Sequence, residues 1–163
     1  MKQIKIGITV EVYESAKDLP DKDKQLFALA EKNTNSAYAP YSHFKVGAAV
    51  RLGNGTIITG NNQENAAYPS GLCAERVALY YAVSQYPGET IESIAIAARS
   101  EDFPLHEVAP CGACRQAMAE YQLLQKKEVR VIMKAEKGPV QVVNSIEDLL
   151  PLMFRAEELK KKK

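Results

Sequence analysis

The stretch "SGLCAERVALYYAV" (Ser70–Val83) reads as the start of a helix, and its first turn holds a thiol, a carboxylate and a guanidinium: Cys73, Glu75 and Arg76. A second predicted helix opens on "PCGAC" (Pro110–Cys114), a C-x-x-C pair. Alone, such a pair fits a redox motif, half of a structural zinc site or part of a catalytic site. Cys73 adds a third thiol at a helix start, where the partial positive charge of the helix end stabilises thiolates. No fourth cysteine exists in the 163 residues. Three thiolates leave a tetrahedral zinc one open position, the pattern of a catalytic rather than a closed structural site. The two histidines, His43 and His106, are read as surface or structural residues. Glu75 lies two positions after a thiol in the same turn, so it can reach the open position without binding the metal. An isolated glutamate there would need no more than the helix dipole to explain it; beside three converging thiols that explanation is the lesser one.

The elements that must position these groups follow from periodicity. Ile4, Ile6, Ile8, Val10 and Val12 alternate with polar neighbours and predict a strand with one buried face. Pro20 suits the first turn of a helix that runs, on the spacing of Leu26, Leu29, Ala30, Asn33 and Ala37, to about Tyr38. "FKVGAAVRL" and "TIITGNN" flank "GNG" and predict a hairpin. The helix after Cys73 is stopped by Pro87 and Gly88, and "IESIAIAA" (Ile91–Ala98) is a strand covered on both faces. A helix from Cys111 to about Leu124, a strand in "EVRVIMKA" and a short extended piece in "GPVQVVNS" follow. Ser145 and Asp148 form a capping-box pattern that predicts a last helix through Glu147–Leu150. The order β-α-β-β-α-β-α-β-β-α predicts an α/β protein, a three-layer α/β/α sandwich with one mixed sheet in a single domain over residues 1–163. Residues 155–163, ending in "LKKKK", read as a charged tail.

Composition narrows the function classes. A hydrophobic fraction of 46% and a charged fraction of 25% are those of a globular domain. The net charge of +1 exerts no long-range pull on nucleic acid or anionic lipid. No apolar run is long enough to span a bilayer, and the N-terminus lacks a signal-peptide core, so a cytoplasmic protein is expected. Three cysteines cannot complete a disulfide framework. Between Phe27 and Phe154 there is no basic, aromatic-studded stretch of the kind that holds a polynucleotide.

A zinc site of cysteines with a non-ligand glutamate and a P-C-x-x-C signature is similar to that of the zinc deaminases. "CAER" at Cys73–Arg76 and "PCGACRQ" at Pro110–Gln116 resemble the cytidine deaminase family, as do "SAYAPYSHFKVGAA" at Ser36–Ala49, "NQENAAYP" at Asn62–Pro69 and "LLPLMF" at Leu149–Phe154. The blocks keep the family's order over most of residues 30 to 154, and the nearest likeness is to its small, all-cysteine, homotetrameric members. The resemblance implies Zn2+ on Cys73, Cys111 and Cys114, and Glu75 as proton shuttle. It implies Asn62 and Glu64 at the sugar 3′-hydroxyl, Phe44 lining the base pocket, and the Ala74 backbone at the reacting centre. Phe154 would come from a neighbouring chain of a homotetramer with shared active sites. It further implies that Arg76 offsets the excess negative charge of three thiolates. Arg115 is either a second such group or a plain surface arginine. The expected reaction is hydrolytic deamination of cytidine and deoxycytidine to uridine and deoxyuridine in pyrimidine salvage, with no nucleic-acid or membrane partner. A deaminase of a nucleoside antibiotic is the neighbouring alternative. Residues 1–14 lie outside the resemblance, as an extra N-terminal strand at a sheet edge or an oligomer interface, and Asn61 stands where members often carry Cys.

Overall fold

The computed structural model describes residues 1–155 and 159. Nine regular elements occur among them: β1 (Glu11–Tyr13), α1 (Asp21–Asn33), β2 (Phe44–Leu52), β3 (Ile57–Asn61), α2 (Ala74–Gln85), β4 (Ile91–Ser100), α3 (Gly112–Gln125), β5 (Arg130–Ala135) and β6 (Val140–Val143). The strands form one sheet in the order β1-β6-β5-β4-β2-β3. β4 and β5 run parallel and every other pair is antiparallel. A parallel pair needs a crossover, and α3 provides it.

Alternation along the central strands sorts side chains onto two faces. Ala48, Val50, Leu52, Ile94, Ile96, Val131 and Met133 pack with α2 and α3 in one core. Ala49, Ala95, Ala97 and Ile132 pack with Leu26, Phe27 and Ala30 of α1 in the other. The three layers expected from the element order are therefore present. Two glycines set the helix distances. A Cβ on Gly47 would lie 2.1 Å from the Ala30 carbonyl oxygen of α1, and one on Gly60 would lie 2.5 Å from the Ala78 nitrogen of α2. Only glycine permits backbone to approach this closely.

Three expectations are corrected. The N-terminal strand is not formed across Ile4–Val12: only Glu11–Tyr13 pair, with Val140–Val142 of β6. Ile4, Ile6 and Ile8 are exposed rather than buried. The physical reason is the partner's length, since β6 has only four residues to offer. The first helix ends at Asn33, and Thr34–Ser36 tighten into a 3-10 turn before Pro40. The last helix is a single 3-10 turn, Ile146–Asp148: Ser145 Oγ accepts from the Glu147 N–H, but the chain reaches Pro151 too soon to extend the turn. The strand therefore occupies far less of residues 1–14 than expected, and of the charged tail only Arg155 and Leu159 fall within the described residues.

Candidate functional site

Cys73 and Cys111 are the N-cap residues of α2 and α3, both in extended conformation, and neither sulfur is spent on capping its helix. Cys114 sits one turn into α3 and is fully buried. The three sulfurs lie within 4.8 Å of one another, with Cys73 Sγ–Cys111 Sγ at 3.8 Å and Cys111 Sγ–Cys114 Sγ at 3.5 Å. Zinc–sulfur bonds of 2.3 Å in a tetrahedron demand sulfurs about 3.8 Å apart. The donor set and its spacing thus fit a tetrahedral metal ion. Among the described residues this is the one such cluster.

The thiols are electrostatically unequal. A hydrogen bond from Cys114 and the Arg76 guanidinium hold the Cys73 thiol down to about 5. The same bond and burial push the Cys114 thiol up. Arg76 Nη2 lies 3.8 Å from Cys73 Sγ, while the Arg76 Nε is buried with no hydrogen-bond partner. Glu75, 5% exposed, lies beside Cys114. Burial raises its pKa above the ordinary carboxylate value, against the pull of its own backbone N–H, and the negative charge of Cys73 adds to the rise.

α3 is held in place by two side chains. Gln122, buried, accepts from the Val129 and Ile146 N–H groups at 3.0 and 2.9 Å and donates to Ser145 Oγ at 2.9 Å. Arg115 donates from Nε to the Pro110 carbonyl at 2.7 Å and from Nη1 to the Leu149 carbonyl at 2.8 Å. Neither reading of Arg115 from sequence describes this: it clamps the loop before Cys111 to the turn after β6.

A groove of about 470 Å³ opens beside Cys73 and Arg76, lined further by Tyr41, Ser42, Asn62 and Glu64. Asn62 donates from Nδ2 to the Phe44 carbonyl at 2.9 Å and accepts on Oδ1 from the Val46 N–H at 2.8 Å, which prolongs the hairpin pairing by a side chain. Glu64 accepts from the Tyr41 and Ser42 N–H groups at 2.9 and 3.3 Å and from the Ser42 hydroxyl. Desolvation pushes the Glu64 carboxyl up, but these hydrogen bonds outweigh it and keep its pKa below the ordinary value. Tyr41 and Tyr68 meet edge to face, ring centres 6.3 Å apart, on the groove wall.

The remaining expected site residues divide. Ala74 is buried at the first position of α2, next to Cys73. Phe44 opens β2, half-buried and outside the residues that line the groove. Phe154 is 60% exposed, its backbone paired with the Gln116 side chain. His43 pairs with Asp102 at 3.1 Å and His106 lies in the loop before α3, so neither joins the thiols. Ser42 and Tyr41 were not assigned a place from sequence. The hairpin register contains the signal: β2 and β3 pair Gly47 with Asn61, and continuing that pairing brings Glu64 to the start of β2.

A family profile described as "Cytidine and deoxycytidylate deaminase zinc-binding region" matches residues 20–132. A cytidine deaminase of Halalkalibacterium halodurans is 41% identical over 84% of this chain and 98% of its own length. One of Sporosarcina psychrophila is 38% identical over 83% of this chain and 93% of its own length. The crystal structure of cytidine deaminase from Burkholderia pseudomallei superposes with a TM-score of 0.69 at 42% identity, covering 80% of this chain and 97% of that one. The class is that of hydrolases built on a three-layer sandwich with one mixed sheet. The chain belongs to the cytidine deaminase family. Among the described residues no helix is long and apolar enough to cross a membrane.

Proposed function

We propose that this chain converts cytidine and deoxycytidine, with water, into uridine and deoxyuridine plus ammonia, as a step of pyrimidine salvage in the cytoplasm. The observation that supports this reading best is the thiol triangle of Cys73, Cys111 and Cys114 beside the buried Glu75, at one end of a groove that Asn62 and Glu64 line. A zinc ion held by the three sulfurs supplies Lewis acidity and a nucleophilic water at neutral pH.

The protein's own groups do the rest. Glu75 takes a proton from the water and delivers it to the ring nitrogen beside the amino-bearing carbon. The water oxygen bonds to that carbon, and Glu75 then carries the oxygen's second proton to the amino nitrogen, whose C–N bond breaks to release ammonia and leave a carbonyl. Burial raises the Glu75 pKa above that of an exposed carboxylate, which makes it the stronger proton acceptor. Arg76 offsets the negative charge of the thiolates by donating to Cys73. Ala74, beside the thiols, contributes its backbone at the reacting centre, and Phe44 bears on the base. Asn62 and Glu64 address the sugar. A carboxylate has about four lone-pair sites. Glu64 uses three of them on Tyr41 and Ser42, which leaves one for a sugar hydroxyl and fixes where it must lie. Phe154, exposed in the single chain, closes the pocket of a neighbouring copy in a homotetramer.

The Glu64 carboxylate also favours a neutral sugar over a phosphorylated one. At an effective dielectric of about 20, each like-charge pair near 4 Å costs about 4 kcal/mol before screening. The test is kcat/KM for cytidine, deoxycytidine, the monophosphates and a single-stranded oligonucleotide, in wild type and Glu64→Gln. The free nucleosides are expected to be strongly preferred, with the preference narrowed in the variant. Equal handling of monophosphate and nucleoside by the wild type would overturn the reading.

A further inference from the structure

We propose that residues 3–13 form the strand through which two copies of this chain pair edge to edge, antiparallel, about a two-fold axis at Ile8.

β1 ends the sheet, so its outer edge has no partner in the chain. Among the described residues, residues 1–9 make no backbone hydrogen bond. Free N–H and C=O rows on an edge strand are a template for another strand. The side chains of the same segment are also uncovered. Ile4 is 78% exposed, Ile6 53%, Ile8 52% and Val12 62%. These four and Val10 share one parity and therefore one face of the extended strand. The segment's own chain covers that stripe only in part: beside Ile6 and Ile8 lie Glu147, Asp148 and Pro151, two of them carboxylates.

The sequence is complementary to itself under a two-fold. Centred on Ile8, antiparallel pairing puts Ile4 opposite Val12, Ile6 opposite Val10 and Ile8 opposite its copy, so every apolar residue meets another. On the other face Lys5 falls opposite Glu11, whose carboxylate Arg130, Asn144 and Tyr13 already fill, and Gly7 opposite Thr9, so the apolar face carries the pairing. At 3.4 Å per residue the paired segment spans about 37 Å, far beyond what β6 alone can hold. A two-fold pairing closes on itself and joins two six-stranded sheets without leaving a new edge to propagate.

The test compares the full-length protein with Ile6→Lys/Ile8→Lys by sedimentation. Both should turn over cytidine equally, which shows that the domain is folded, and the wild-type assembly should have twice the mass of the variant. Ile8→Cys, at the axis, should give a covalent dimer with oxidised glutathione on a non-reducing gel, and Gln3→Cys, opposite Tyr13, should not. Equal masses for wild type and variant across the concentration range would overturn the proposal. So would wild type that co-sediments with anionic vesicles while its mass matches the variant's.

Discussion

The Arg76 guanidinium and the Cys73 thiol lie one helical turn apart, with Nη2 3.8 Å from Sγ. The cation's charge is spent on the sulfur rather than on a carboxylate. A charge-assisted hydrogen bond contributes about 1.5–3 kcal/mol, which corresponds to about 10–100-fold in rate if it acts on the transition state. Arg76→Gln should keep its zinc and lose kcat by that order, measured by metal analysis and steady-state kinetics on the same preparation. Unchanged kcat would leave Arg76 a purely structural residue.

Glu75 is buried beside the thiols without being one of the converging donors. Glu75→Gln should retain metal and fold while losing at least the roughly 10²–10⁴-fold typical of general acid–base catalysis. Single-turnover rates with cytidine, alongside zinc content and circular dichroism, check this. A variant that turns over normally would remove Glu75 from the proton path.

The wild-type protein should hold about one zinc per chain, given one three-cysteine site. Cys73→Ala, Cys111→Ala and Cys114→Ala should each lose metal and activity together. Cys114→Ala should also be the least stable of the three, because Cys114 alone is fully buried. Metal analysis and urea unfolding separate the two effects, and full activity in a metal-free preparation would contradict the proposed role of the thiols.

Acid should loosen the sheet edge. Arg130 donates to both Glu11 oxygens and, through Nε, to Asp23 at 2.8 Å, so one guanidinium joins β1, β5 and α1. Hydrogen bonds from Arg130, Asn144 and Tyr13 hold the Glu11 carboxyl down to about 2, from an ordinary value of 4.5. A carboxylate with a depressed folded pKa stabilises the fold above its unfolded pKa. That contribution is complete above pH 4.5 and is lost as pH falls towards 2. Glu11→Gln should therefore be less stable than wild type at neutral pH, and the gap should close towards pH 2. Urea midpoints of the two proteins, compared at each pH, measure it. A gap that does not change with pH would mean that the ionised Glu11 carboxylate carries none of it.

The parts of the fold legible in the sequence are those whose signals are local and repeated. The hairpin around Gly53–Gly55, the continuous apolar run of β4 and the helix starts at the cysteines stand where pattern and turn chemistry put them. The three thiols were legible because their residue type and helix-start context coincide. Less legible was whatever depends on a partner's length or on one side chain's choice. The alternation of Ile4–Val12 specifies a strand, but nothing in it states that β6 stops after Val143. Ser145 and Asp148 specify a cap, and Pro151 decides that the cap leads to only one turn. Arg115 had a thiol beside it in sequence, yet two backbone carbonyls claim its guanidinium.

The contact between Gly60 and α2 works as a mechanical gauge. The strand carries no side chain at that point, and the helix backbone rests directly on it, with Ala74 O and Ala78 N as the bearing points. α2 brings Cys73, Glu75 and Arg76, while Cys111 and Cys114 ride on α3. Two separately mounted parts must therefore meet within a few tenths of an ångström, and the seat at Gly60 is the shim that sets one of them. A single methyl inserted there would lift the first turns of α2 and open the sulfur triangle along one side. Position 60 thus governs the alignment of the two mounts without itself bearing any reactive atom.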